Sequence, residues 1–115
     1  MNLNKKSKIF LAGHKGMVGS SILKLLKDKK YKHIITQEKK KLDLLDQKKT
    51  EKYLSYIKPD CVIIAAARVG GISANANFKA NFIYENLVIQ TNLIHSSFKA
   101  GVKKLIFLGS SCIYP

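Results

Sequence analysis

The chain has 115 residues, enough for one domain with a modest hydrophobic core. It contains no apolar run of the roughly 18 residues that a membrane span needs, and the apolar stretch behind its basic N-terminus is too short for a signal peptide. We therefore expect a cytoplasmic protein that does not act in a membrane. The two cysteines, Cys61 and Cys112, are too few and too far apart for a metal site or a disulfide scaffold.

The formal net charge of +14 raises the question of nucleic-acid binding. Twenty of the 21 basic residues are lysines, and Arg68 is the only arginine. Specific recognition of bases and phosphates relies on the bidentate guanidinium group of arginine. The composition therefore favours a solvated, lysine-rich surface over a specific nucleic-acid site, although weak and salt-sensitive adhesion to polyanions is still expected.

The first predicted element is a buried strand over the apolar run Ile9–Ala12, which stops at Gly13. Gly16 and Gly19 follow at a spacing of three residues. A helix is predicted next, because apolar residues recur at the spacing of one helical face, namely Val18, Ile22, Leu25 and Leu26.

Three glycines between a buried strand and an amphipathic helix are typical of a dinucleotide-binding turn. Gly13 would allow the tight turn, Gly16 would let the backbone approach a pyrophosphate, and Gly19 would let the helix pack closely on the sheet. The N–H groups of the first helical turn, at Met17 and Val18, would point towards that anion. The alternative is a glycine-containing turn in an unrelated α/β unit.

The second strand is predicted over His33–Thr36, and the polar segment after it bears on the choice of cofactor. The adenosine ribose lies at the end of this strand in a dinucleotide fold, where an acidic residue suits a free 2′-hydroxyl and basic residues suit a 2′-phosphate. Glu38 is acidic, but Lys15 and Lys39–Lys41 favour NADP over NAD. The alternative is that the lysine run is only solvated.

The segment Leu42–Asp46 precedes a second helix, predicted from Gln47 to about Ile57, with Asp46 as its N-cap. Pro59 would end this helix. Asp43 stands where a carboxylate could reach the adenine amino group, or it serves only in turn formation.

A third strand is predicted over Cys61–Ala67, with Cys61 as a small core residue. The small residues Ala65, Ala66 and Ala67 would let a cofactor lie against the backbone.

A long helix with two apolar faces over Phe78–Phe98, a C-terminal glycine at Gly101 and a last strand over Leu105–Leu108 complete the pattern. The alternation predicts the α/β class, with a Rossmann-type, doubly wound parallel sheet of about four strands.

Five segments together resemble the GDP-L-fucose synthase family, also called GDP-4-keto-6-deoxymannose 3,5-epimerase/4-reductases, a branch of the extended short-chain dehydrogenases. They are AGHKGMVGS, LDLLD, AAARVGGI followed by AN, FIYEN and LGSSCIYP, in the family's order and spacing. The resemblance covers nearly all of this chain but only about the first third of the family's length. It implies the N-terminal part of an NAD(P)-binding Rossmann domain without the substrate domain.

The resemblance also implies a cofactor and a reaction. Family members use NADPH to convert GDP-4-keto-6-deoxymannose to GDP-L-fucose by two epimerisations and one hydride transfer. Gly13, Gly16 and Gly19 would hold the pyrophosphate, and Lys15 and Lys39 stand where the family has arginines at the 2′-phosphate. Asp43 and Leu44 would border the adenine, and Ala65–Ala67 would border the middle of the cofactor.

Ser110 and Cys112 match the family's catalytic residues by the same resemblance. The Ser110 hydroxyl would hydrogen-bond the substrate carbonyl oxygen, on which hydride transfer develops negative charge. Cys112 would act as acid and base in the epimerisation, since a thiolate near its pKa can remove a proton next to a ketone.

The family's Tyr-x-x-x-Lys pair has no counterpart among these residues. Four positions after Tyr31, Tyr53, Tyr56 and Tyr84 stand Ile35, Ile57, Asp60 and Val88. We therefore expect an N-terminal fragment that is inactive alone, with a complementing chain or a second copy in a homodimer as its partner. The alternative is a non-catalytic NADP(H)-binding module.

Overall fold

The computed structural model describes residues 3–65 and 76–108, and of residues 76–82 it describes the backbone only. Strands and helices alternate along these residues, as the sequence predicts. The elements are β1 (Lys8–Ala12), α1 (Met17–Asp28), β2 (His33–Ile35), α2 (Gln47–Ile57), β3 (Cys61–Ile64), α3 (Ala76–Ala100) and β4 (Lys104–Phe107).

The strands form one parallel sheet in the order β2-β1-β3-β4. The chain passes from β1 to one side of the sheet and then returns across β1 to build β3 and β4. Right-handed crossovers in opposite directions put their helices on opposite faces of a sheet. Accordingly α1 packs on one face and α2 and α3 on the other, which confirms the doubly wound parallel architecture.

Two hydrophobic clusters, one on each face, form the core. Successive side chains of a strand point to opposite faces, so a strand buried on both faces is apolar throughout. In β1, Ile9 and Leu11 pack towards α1, whereas Phe10 and Ala12 pack towards α2 and α3. The ring of Phe10 lies 5.7 Å from that of Tyr53 on α2, which ties the central strand to this helix.

Cys61 is fully buried in the cluster beneath α1. Burial raises the pKa of its thiol, because the thiolate would lose its hydration there. The side chain is therefore a small apolar core residue, as predicted from the sequence.

The rotation of α1 about its axis differs from the predicted one. A Cβ atom on Gly19 would lie 1.7 Å from the carbonyl oxygen of Gly13, so this face of the helix lies against the turn after β1 at a distance that only a glycine permits. Ile22, Leu23 and Leu26 consequently pack on the sheet. Val18 and Leu25, which were expected on the buried face, are 55% and 52% exposed.

The ends of α2 and α3 confirm the predicted helix signals. The Asp46 carboxylate accepts a hydrogen bond of 3.0 Å from the backbone N–H of Lys49, as an N-cap does. The helix ends at Lys58, in the left-handed conformation, just before Pro59. Gly101 follows α3 with φ of +75°, a conformation that favours glycine.

The two apolar faces of α3 have different environments. Ile89 and Leu93 are buried against α2 and the sheet. The other face forms an exposed apolar stripe, made of Ile83, Leu87, Ile94 and Phe98. In the part of the chain that the structure describes, no helix combines the length and the apolar character needed to cross a membrane.

Candidate dinucleotide-binding site

An open cleft of about 640 Å³ lies beyond the carboxyl ends of β1 and β2. Four parts of the chain line it: the turn after β1, the residues after β2, the loop before α2, and one residue of α3. These residues are Gly13, His14, Lys15, Gly16, Gln37, Glu38, Lys39, Leu42, Asp43, Leu44, Leu45 and Ile89. Ligands of doubly wound sheets bind at this edge, where the order of the strands reverses.

The turn after β1 forms one wall of the cleft, and backbone atoms make up much of this wall because two of its residues are glycines. Gly13 has φ of +91°, and the N–H of Gly16 donates a hydrogen bond of 3.2 Å to the Gly13 carbonyl. Gly16 is the N-cap of α1, and no side chain caps the helix there. The first N–H groups of a helix have no partner within it and carry the positive end of the helix dipole, so this turn favours an anion.

Among the residues that the structure describes, none requires a glycine at position 16, so this glycine suits the close approach of a pyrophosphate. Its backbone is extended, with φ of −72°, a conformation open to any residue. Within residues 3–65 and 76–108, a Cβ atom there would meet only the Gly13 oxygen, at the ordinary contact distance of 3.6 Å. Because Gly16 has no side chain, it leaves room on the cleft side of the turn.

An ion pair between Lys15 and Glu38 crosses the cleft wall, with 3.1 Å between Nζ and Oε1. The hydrogen bond and the positive charge of Lys15 lower the pKa of Glu38, with smaller contributions from His14 and Lys41. Glu38 is therefore ionised at neutral pH. Both side chains are largely exposed, so the pair contributes little to stability.

The loop before α2 is held by hydrogen bonds from within and from α3. One carboxylate oxygen of Asp43 accepts a hydrogen bond of 3.0 Å from the N–H of Leu45, which is the turn role considered for this residue. The buried amide of Asn92 on α3 donates a hydrogen bond of 2.8 Å to the Leu44 carbonyl. The wall at Leu44 is thus fixed by a helix 48 residues further along the chain.

The structure brings six of the predicted cofactor residues together. Gly13, Lys15, Gly16, Lys39, Asp43 and Leu44 line the cleft. Met17, Val18 and Gly19 form the adjoining first turn of α1. Ala65 follows β3, where its N–H donates a 2.9 Å hydrogen bond to the Ala12 carbonyl and its side chain packs beneath α1. Ala66, Ala67, Ser110 and Cys112 lie outside the described residues.

Six lining residues were not among the predicted cofactor residues: His14, Gln37, Glu38, Leu42, Leu45 and Ile89. All but Ile89 lie within two positions of a predicted residue in the sequence, so a rule that included such neighbours would have found them. Ile89 lies on α3, and its apolar character predicts only burial. Its place in the cleft depends on how α3 packs against the loop before α2.

Comparisons of the sequence and of the fold with known proteins agree with one another. A sequence model of the NAD dependent epimerase/dehydratase family matches residues 9–115. GDP-L-fucose synthase 1 of Arabidopsis thaliana is 52% identical over 97% of this chain and 35% of its own length. The GDP-L-fucose synthase of Sinorhizobium fredii is 51% identical over 100% of this chain and 36% of its own length.

A solved structure shares the fold. It is MlghC, the GDP-mannoheptose C4 reductase from Campylobacter jejuni with NADP bound, with a TM-score of 0.90 and 39% identity over 99% of this chain and 36% of that chain. These similarities confirm the resemblance predicted from the sequence segments. The chain spans about a third of the length of the relatives it matches.

Substitutions of Gly19 and Gly16 are expected to change the stability of the fold by very different amounts. We expect Gly19→Ala to lower the free energy of unfolding by about 3 kcal/mol or more, because its Cβ would overlap a backbone oxygen that cannot move aside. Gly16→Ala is the matched control and should change it by no more than about 1 kcal/mol. Urea unfolding followed by circular dichroism measures both, and equal losses would contradict this view of Gly19.

The Lys15–Glu38 ion pair predicts a titration shift. We expect the pKa of Glu38 to lie below the ordinary glutamate value and to rise towards it in Lys15→Gln, because the main partner that stabilises the carboxylate is then lost. Carbon-13 NMR of the side-chain carboxyl measures it directly. Lys24→Gln, an equal charge change on α1, should leave the pKa of Glu38 unchanged. A Glu38 pKa unaffected by Lys15→Gln would show that the pair does not form in solution.

Proposed function

The chain belongs to the NAD dependent epimerase/dehydratase family, and from this premise we propose that it is the NADP(H)-binding portion of a GDP-L-fucose synthase. The observation that carries the proposal is one cleft that is lined by the glycine turn, including Lys15, and by Lys39 after β2. Relatives about half identical over nearly all of this chain are GDP-L-fucose synthases, and a reductase of the same fold holds NADP.

The cofactor would be held by three parts of the cleft. Its pyrophosphate suits the turn at Gly13 and Gly16 and the first N–H groups of α1, at Met17, Val18 and Gly19. Its 2′-phosphate suits the ammonium groups of Lys15 and Lys39. Asp43 and Leu44 would border the adenine, and Ala65, Ala66 and Ala67 would border the middle of the molecule.

Two further residues would act on the sugar. When bound, NADPH supplies the hydride that reduces a sugar ketone. We assign to Ser110 the hydrogen bond to the ketone oxygen, where it stabilises the developing negative charge. We assign to Cys112 the removal and return of protons on the carbons next to the ketone. Both assignments rest on the resemblance of LGSSCIYP to the family's segment.

The reduced oxygen also needs a proton. Within the 115 residues no tyrosine is followed four residues later by a lysine. We propose that this acid lies outside these residues and that the 115-residue chain alone binds the cofactor without turnover. The expected macromolecular partner is a second copy of the protein, which the exposed apolar stripe of α3 would suit.

The cofactor proposal predicts saturable binding. At moderate salt we expect NADPH fluorescence to change on titration with the purified chain, with a lower Kd than for NADH. Gly16→Val should weaken NADPH binding by at least about tenfold, because its side chain would occupy the cleft side of the turn. Ser55→Val, at an exposed position of α2 outside the cleft, is the control. A folded wild-type chain that binds neither nucleotide would refute the proposal.

The synthase proposal predicts activity on reconstitution. We expect NADPH oxidation with GDP-4-keto-6-deoxymannose once the chain is joined to, or mixed with, the remaining two thirds of the Sinorhizobium fredii enzyme. Ser110→Ala in this assembly should lower the rate by about a hundredfold. Absence of turnover in a folded assembly that still binds NADPH would favour the non-catalytic module instead.

A further inference from the structure

We propose that Glu38 competes with the 2′-phosphate of NADP(H) for the side chain of Lys15, and so limits the preference of this chain for NADPH over NADH. The inference rests on the proposed function, because it takes the cleft as a dinucleotide site. It adds Glu38 as a residue that weakens the predicted preference for NADPH over NADH.

The two residues of the ion pair have opposite preferences for the ribose. A carboxylate after the second strand suits a free 2′-hydroxyl, to which it offers a hydrogen-bond acceptor. A lysine at the same place suits a 2′-phosphate. Here both groups line one cleft and contact each other across 3.1 Å. Glu38 therefore engages the ammonium group that would bind a 2′-phosphate, and Lys15 engages the carboxylate that would bind a free 2′-hydroxyl.

The charges around Glu38 explain why the pair forms. The side chains that lower the pKa of its carboxyl are Lys15, His14 and Lys41, and Lys15 dominates. A phosphate monoester carries nearly two negative charges at neutral pH. If such a group binds Lys15, it displaces Glu38 and leaves two anions near the same ammonium. If NADH binds instead, the ion pair can stay intact.

The exposure of the pair determines the size of the effect. The side chain of Lys15 is 71% exposed and that of Glu38 is 54% exposed, so water and salt screen their attraction. The exchange of partners is therefore feasible, and Glu38 weakens NADPH binding without preventing it. At a separation of a few ångströms in water, release of the Lys15 ammonium from the opposite charge of Glu38 corresponds to about a threefold to tenfold gain in affinity for the phosphate.

The test compares the Kd values of NADPH and NADH for the wild-type chain and for Glu38→Gln, Lys15→Gln and the double variant. We expect Glu38→Gln to bind NADPH about threefold to tenfold more tightly and NADH equally or more weakly. In the Lys15→Gln background, Glu38→Gln should change the Kd of NADPH much less. The melting temperature of each variant, followed by circular dichroism, checks that the fold is retained.

Glu51→Gln is the matched control. Glu51 on α2 pairs with Lys99 at the same distance, 3.1 Å, and its removal changes the net charge equally. It does not line the cleft. We expect it to leave the ratio of the two Kd values unchanged, which separates a local effect at the ribose from the general attraction of a basic protein for phosphates.

Two results would overturn the inference. One is that the ratio of the NADPH Kd to the NADH Kd is the same for Glu38→Gln as for the wild type or for Glu51→Gln. The other is a full gain in NADPH affinity that persists without Lys15, since Glu38 would then not act through that side chain. Failure of the proposed function would look different: a folded wild-type chain would bind neither nucleotide.

Discussion

The contact between α1 and the turn after β1 is the constraint on which the candidate site depends. The helix approaches the Gly13 carbonyl so closely that only a residue without a side chain can stand at position 19. This approach fixes the rotation of α1, which packs Ile22 and Leu26 on the sheet and leaves Val18 exposed. It also puts the uncapped N-terminus of α1 beside the cleft, where its N–H groups favour an anion.

The cleft itself results from the topology of the sheet. The crossover from β2 to β3 passes over β1 and brings the loop before α2 opposite the glycine turn. The adjacent helix α3 then stabilises this loop, because Asn92 donates a hydrogen bond to the Leu44 carbonyl and Ile89 closes the apolar side. The wall that would face an adenine therefore depends on residues distant in the sequence.

Much of the candidate site could be predicted from the sequence, because its polar residues lie at turns with recognisable local signals. The glycine spacing, the lysines after the second strand and the Asp46 N-cap depend only on short-range geometry. Ile89 and Asn92 could not be predicted, since a helical face indicates burial but not which loop it contacts. The pairing of Lys15 with Glu38 was also missed, because it joins residues 23 positions apart whose opposite cofactor preferences had only been weighed against each other.

The sequence by itself determined the order of strands and helices, the parallel sheet and the family, because apolar periodicity and turn chemistry are local properties of the chain. Only the tertiary structure decided which face of α1 is buried, which apolar face of α3 stays exposed, and which side chains meet in the cleft. These features depend on the packing of elements distant in the sequence. At Gly19 the absence of a side chain lets α1 approach the Gly13 carbonyl, and this close approach, which apolar periodicity does not describe, accompanies the exposure of Val18 and Leu25.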